Sequence, residues 1–200
     1  MLSLPLMLDV NAVQLSDEQF YQLCVTNPDM RVERSAKGVL IVMPPVGGES
    51  GSQEADLITD LNIWNRKTQL GKVFSPSTIF RLPNGASRSP DAAWVEQSHW
   101  EALTPEQRME FPPIAPDFVV ELRLASPSSE GLWTDSLKLL QAKMQEYIDS
   151  GVRLGWMFNP QEQAVEIYRL GQEMKAVALP TLLNGEAVLP GFELQIPKFA

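Results

Sequence analysis

Hydrophobic and polar positions along the 200-residue chain fall into two rhythms. Alternation of the strand kind occurs at 30–35, 39–43, 73–74, 79–82, 89–95, 117–124, 153–158 and 164–169, and short runs recur towards the C-terminus. Helical spacing occurs at 16–26, 52–70 and 134–150. Ser16 with Gln19 three residues on has capping-box spacing, and Pro28 lies just past the first helix. Leu57, Ile58, Leu61 and Trp64 share one side of the second, which Gly71 ends. In the third, Thr134 or Asp135 stands at the start. Leu137, Leu140, Met144, Tyr147 and Ile148 then form an apolar stripe, and Gly151 closes it. Lys37-Gly38, Pro83-Asn84-Gly85 and Asn159-Pro160 mark turns; 44–48 and 125–133 read as loops, and 97–110 as helical or irregular. The pattern predicts an N-terminal arm over 1–15 and one domain over 16–200. Its class is α/β or mixed α+β, a mixed sheet flanked by helices.

Composition narrows this picture. With 44% hydrophobic and 20% charged residues, the chain has the balance of a globular protein rather than of a disordered or fibrous one. Its apolar runs are too short to cross a bilayer, and the first ten residues lack a signal-peptide pattern. The expectation is a cytoplasmic protein without a membrane partner. One cysteine, Cys24, excludes an internal disulfide and a Cys-based zinc site, and one histidine, His99, excludes multi-histidine sites. A net charge of -9 argues against a broad basic face for nucleic acid, but leaves room for a local basic groove beside metal-binding carboxylates.

Two glycine-rich readings fail. The stretch Gly47-Gly48-Glu49-Ser50-Gly51-Ser52 has no following Lys-Ser/Thr, so it is no P-loop, and Ser52 stands where a nucleophile elbow needs glycine. More informative are Ser89-Pro90-Asp91 and the run from Pro116 to Arg123. On a strand, Phe118, Val120, Leu122 and Leu124 share one face, and Asp117, Val119, Glu121 and Arg123 the other. If the strands neighbour each other, Asp91 and Glu121 converge. Such a pair repels unless it is protonated or neutralised, and its hard oxygens suit Mg²⁺ or Mn²⁺. Lys143 lies at the edge of the apolar stripe and can reach the sheet, whereas Lys138 falls almost opposite and is expected in solvent. Singly, each has a plain structural reading: a turn aspartate, an ion pair of Glu121 with Arg123, a solvated lysine. Together, on these elements, they point to a site.

In this arrangement the chain resembles the PD-(D/E)XK nuclease superfamily. Within it, the chain is similar to the bacterial putative restriction endonuclease family, formerly a domain of unknown function. The stretches that carry the likeness are Arg31-Val32-Glu33, Val39 to Pro45, Gly47-Gly48-Glu49, Ser89-Pro90-Asp91, Pro116 to Glu121, Lys143 to Val152 and Gly155 to Pro160. The resemblance implies a restriction-endonuclease-like mixed β-sheet with extra N- and C-terminal strands. It implies that Asp91 and Glu121 are metal carboxylates, that Lys143 is the catalytic lysine moved from strand to helix, and that Glu33 joins them. Arg123 stands where the superfamily usually carries a strand lysine; arginine stays protonated and cannot act as a base.

The expected function is a divalent-metal-dependent DNA endonuclease, with Asp91, Glu121, Lys143, Glu33 and Arg123 as catalytic candidates and Mg²⁺ or Mn²⁺ at Asp91 and Glu121. DNA phosphates would meet Arg66, Lys67, Arg81, Arg88 and Arg123. A second expectation, of another class, is a nuclease-fold protein that no longer cuts and acts as a homodimeric binding or regulatory module. A third is a glycosidase using Asp91 and Glu121 as an acid/base pair.

Overall fold

At Ser16 the reciprocal capping box forms: the Ser16 hydroxyl accepts from the Gln19 N–H, and the Gln19 side chain accepts from the Ser16 N–H at 2.9 Å. Helix α1 (Asp17–Thr26) starts there. Before it lies a short strand β1 (Leu6–Leu8), and after it come β2 (Arg31–Arg34) and β3 (Leu40–Met43). The computed structural model describes residues 5–10, 12–123 and 132–199. The expected loop 125–133 falls largely outside them.

Helix α2 (Gly48–Thr68) leads into β4 (Gly71–Phe74). Then come β5 (Phe80–Arg81), β6 (Ser87–Arg88), β7 (Ala92–Glu96), two short helices α3 (Gln97–Glu101) and α4 (Pro105–Met109), and β8 (Phe118–Leu122). Helix α5 (Leu132–Asp149) connects to β9 (Leu154–Asn159), followed by β10 (Ala164–Arg169), β11 (Lys175–Ala178), β12 (Thr181–Asn184) and β13 (Glu193–Ile196). The strands form a five-stranded sheet ordered β1-β3-β2-β6-β5, a six-stranded sheet ordered β11-β10-β9-β8-β7-β4, and a β12-β13 hairpin. Among the described residues only β8 and β9 pair in parallel, joined by the α5 crossover. The fold is therefore the expected mixed α/β architecture, with extra strands at both ends.

Strand alternation splits the core. Phe118, Val120 and Leu122 face a layer made by Leu61 and Trp64 of α2 together with Leu183, Leu194 and Ile196 of the hairpin. Val119, Ala93 and Val95 face the opposite layer, made by Met144, Tyr147 and Ile148 of α5 with Phe80 and Leu82. The stripe read from the sequence is thus the buried face of α5. Helix α5 begins at Leu132, so Thr134 and Asp135 lie inside it rather than at its cap. The strand read at 89–95 begins only at Ala92, and a separate short strand precedes it. Ser87 and Arg88 belong to the five-stranded sheet, Ala92–Glu96 to the six-stranded one, and Asp91 sits at the bend between them. That bend is where the two sheets meet.

Candidate metal and phosphodiester site

Alternation along β2 puts Val32 and Arg34 against α1 and turns Arg31 and Glu33 the other way. Glu33 is buried, 3% exposed, and both its oxygens are occupied. Its Oε1 accepts from Lys143 Nζ at 2.8 Å and from the Ser89 N–H at 3.0 Å, and its Oε2 accepts from Arg88 Nη1 at 3.0 Å. Arg88 donates its Nε–H to Glu146 at 2.5 Å. An ionic chain Lys143–Glu33–Arg88–Glu146 thereby links α5 to β2 and β6 and returns to α5.

From the other sheet, Glu121 lies on the α5 face of β8. Its Oε1 accepts from Lys143 Nζ at 2.7 Å and from the Tyr147 hydroxyl at 3.0 Å. One helical turn thus delivers both donors, since residues four apart share a helix face. Asp91 joins by register. Ala92 pairs with Val120 in the antiparallel β7–β8 ladder, so Asp91 is the next position, beside Glu121. The Asp91 Oδ2 accepts from the Leu122 N–H at 2.8 Å.

The carboxyls respond differently to burial. Around Glu33, burial pushes the pKa up, but the Lys143 and Arg88 charges and the Ser89 N–H outweigh it, so the net shift is downward. Burial also raises Glu121. Lys143 opposes it, but the neighbouring Asp91 and Glu33 charges add to it, and the pKa is pushed up to about 8. Asp91 is raised, mainly by burial, against Lys143, the Leu122 N–H and Arg31. Burial lowers Lys143, yet Glu121 and Glu33 prevail and raise it above the ordinary lysine value. At neutral pH this lysine is a cation, not a base.

Glu54, on the N-terminal half of α2, also belongs to this field: burial first, then the Asp91 charge, raises its pKa. Five carboxylates (Glu33, Glu54, Asp91, Glu121 and Glu146) face three cations (Arg31, Arg88 and Lys143). With every carboxyl ionised the excess is two negative charges, which a divalent cation would neutralise in place of the proton that Glu121 otherwise keeps, and Asp91 Oδ1 and Glu121 Oε2 are oxygens that accept no N–H or O–H among the described residues. Hard, anionic oxygens of this kind fit Mg²⁺ or Mn²⁺.

Arg123 follows β8, two residues beyond Glu121; it is buried and donates to Asn159 Oδ1 at 2.9 Å, at the end of β9. Arg88 is buried and held by Glu33 and Glu146, whereas Arg81 donates to the Phe111 carbonyl, lies 3.7 Å from Asp17 and is partly exposed. Lys138 is exposed, as expected. A second acidic group, Glu96, His99 and Asp117, brings one potential ligand atom from each residue within 4.8 Å of the others. Protein donors already serve it: Arg153 bridges Glu96 and Asp117 at 2.9 and 3.3 Å, and the other Asp117 oxygen meets the Glu96 N–H and His99 Nδ1.

The comparisons with known proteins bear on the family and the fold. The model of the Uma2 family, described as "Putative restriction endonuclease", matches residues 17–197. The chain belongs to the Uma2 family. The match takes in α5, every residue of the acidic cluster and every strand but β1. A solved structure, of a putative nuclease belonging to DUF820 from Anabaena variabilis ATCC 29413, is similar in fold. Its TM-score is 0.66 at 21% sequence identity, over 82% of this chain and 87% of that one. No curated protein matches the chain. Among the described residues, no helix is long and apolar enough to cross a membrane.

Two contributors to the candidate site escape the sequence reading in part. Tyr147 reads as a stripe residue, and its hydroxyl is a hydrogen-bond donor to Glu121. The only hint is its place four residues after Lys143. Glu54 falls inside the helix read at 52–70, but no motif there singles it out.

Proposed function

We propose that the chain is a divalent-metal-dependent DNA endonuclease of the PD-(D/E)XK type, hydrolysing phosphodiester bonds. The observation that supports this reading is Asp91, one residue before the β7–β8 ladder and opposite Glu121 by its register, with Lys143 Nζ 2.7 Å from Glu121 Oε1. Asp91 and Glu121 would hold the Mg²⁺ or Mn²⁺. When bound there, the ion supplies Lewis-acid polarisation of a phosphate oxygen and a lowered pKa for water.

The chain's own residues do the rest. Asp91 is fixed by the Leu122 N–H through one oxygen, which leaves the other for the ion. Glu121 is aimed by Tyr147. Lys143 keeps its charge, so it orients water and stabilises negative charge growing on the phosphate, rather than removing a proton. Glu33 acts as the lysine's fixed counter-charge, because its two oxygens already accept from Lys143, the Ser89 N–H and Arg88. Its role is positioning, not metal binding. We place the activity in the cytoplasm, in a homodimer. The exposed apolar edge strand Leu6–Leu8 favours self-association, which sedimentation would reveal as a dimer of wild type and a monomer of Met7→Lys.

The test is cleavage of supercoiled plasmid and single-stranded DNA with Mn²⁺, Mg²⁺ or EDTA, beside Glu121→Gln. Cleavage that needs metal and disappears in Glu121→Gln is the expected result. A second reading, a nuclease-fold protein that binds without cutting, is favoured by one observation: the Lys143 ammonium itself already neutralises Glu121 and Glu33. Absence of cleavage together with absence of Mn²⁺ binding by calorimetry would select it.

A further inference from the structure

The three cations of the site differ in what they have left for a ligand. Lys143 is committed to Glu33 and Glu121, and Arg88 to Glu33 and Glu146. Arg31 is not committed in this way. It lies two residues before Glu33, on the same face of β2. Its Nη2 is 3.4 Å from the Pro76 carbonyl and 3.9 Å from Asp91 Oδ1, and its side chain is 34% exposed. Among the described residues, its Nε and Nη1 meet no acceptor.

Both contacts are long for a guanidinium, whose strong pairs close to about 2.7–2.9 Å. They steer the group without satisfying it. The Pro76 carbonyl also accepts from the Ser89 hydroxyl, so the loop that guides Arg31 is pinned next to Asp91. The result is a planar five-donor fork held beside Asp91, one-third exposed and with most of its donors left over. Such a fork matches two oxygens of one phosphate, and an ammonium does not.

We infer that Arg31 is the substrate-binding residue that grips the non-bridging oxygens of the phosphodiester presented to Asp91. This rests on the nuclease reading for the class of substrate, and it names the residue that recognises it. In a chain of net charge -9, a cation at the mouth of the acidic cluster is also what allows a polyanion to approach.

The test is equilibrium binding of a fluorescein-labelled single-stranded oligonucleotide and its duplex, by anisotropy in EDTA over a KCl series. Wild type, Arg31→Ala and Arg31→Lys are compared, with melting curves for each. Arg31→Ala is expected to weaken binding about tenfold and to lower the slope of log affinity against log salt by about one, with its melting unchanged. Arg31→Lys is expected to restore the slope and only part of the affinity. Arg31→Ala that melts at a different temperature but binds like wild type would reduce Arg31 to a counter-charge for Asp91 and overturn the inference. The measurement contains no metal and no cleavage. A wild type that binds DNA through Arg31 but never cuts it would sink the nuclease reading and leave this one standing. A wild type that binds no DNA would overturn the Arg31 assignment, while Mn²⁺ calorimetry would still judge Asp91 and Glu121.

Discussion

Glu33 and Glu121 share one lysine, yet their surroundings send them in opposite directions. Glu33 has Arg88 and the Ser89 N–H as well, whereas Glu121 faces Asp91 and Glu33. This difference has a consequence for stability. Between the unfolded carboxyl value of 4.5 and about 8, the folded protein retains a proton on Glu121 that the unfolded chain has released. Stability conferred by that group is therefore full below the lower value and is lost as pH rises through the upper one. Glu33, shifted downward, contributes its loss only as pH falls below the ordinary carboxyl range, outside this window. In EDTA, wild type should lose about 2 kcal/mol of stability between pH 6 and 8.5, and Glu121→Gln should not. Chemical denaturation at each pH checks this; parallel curves for the two proteins would mean that Glu121 titrates normally. The convergence of Asp91 and Glu121 was legible because strand alternation and a shared ladder suffice to bring them together. The occupation of both Glu33 oxygens was not, because it depends on Arg88 from one sheet and Lys143 from a helix on the other.

At the level of elements, close approach explains what periodicity could only punctuate. Gly71 was read as the stop after α2, but it is also the first residue of β4. A Cβ there would lie 2.2 Å from the Val95 carbonyl oxygen and 2.6 Å from the Trp94 ring. Backbone cannot yield as a side chain can, so Gly71→Ala should cost about 3 kcal/mol through displacement of β4 from β7. A melting point within a degree of wild type would refute that. The corner formed by Asp117 makes a contrasting case. Asp117 is buried, and it ties the Glu96 N–H, His99 and Arg153 together at the start of β8. Asp117→Ala should destabilise by about 2 kcal/mol, since it leaves the Glu96 N–H without its acceptor while Arg153 keeps Glu96, yet leave cleavage per folded molecule intact. Loss of cleavage in a fully folded Asp117→Ala would move the chemistry to that corner. The strands and α5 were legible from alternation and stripe. The start of α2 was not: Gly48 and Gly51 weaken helix propensity, so the glycine run reads as a loop although the helix starts at Gly48.

In the whole molecule, the acidic cluster lies where the five-stranded and six-stranded sheets meet. Glu33 and Arg88 come from the first, Glu121 from the second, Asp91 from the bend between them and Lys143 from α5. An ion bound by Asp91 and Glu121 would bind the folded arrangement and not the unfolded chain, so it must raise the melting temperature by mass action. At a free concentration one hundred times its dissociation constant, the gain is about 2.7 kcal/mol, or roughly 5–10 °C for a chain of this size. Wild type should show that shift with Mn²⁺ or Mg²⁺ over EDTA, and Glu121→Gln should lose it. Asp117→Ala should keep it, although it melts lower from the outset, because the Glu96–His99–Asp117 group is already bridged by Arg153. The reverse pattern, a shift abolished by Asp117→Ala and retained by Glu121→Gln, would assign the metal to the other acidic group. A wild type with no shift at all would leave Lys143 as the cation that balances the pair, and the protein would then be a binder on a nuclease frame.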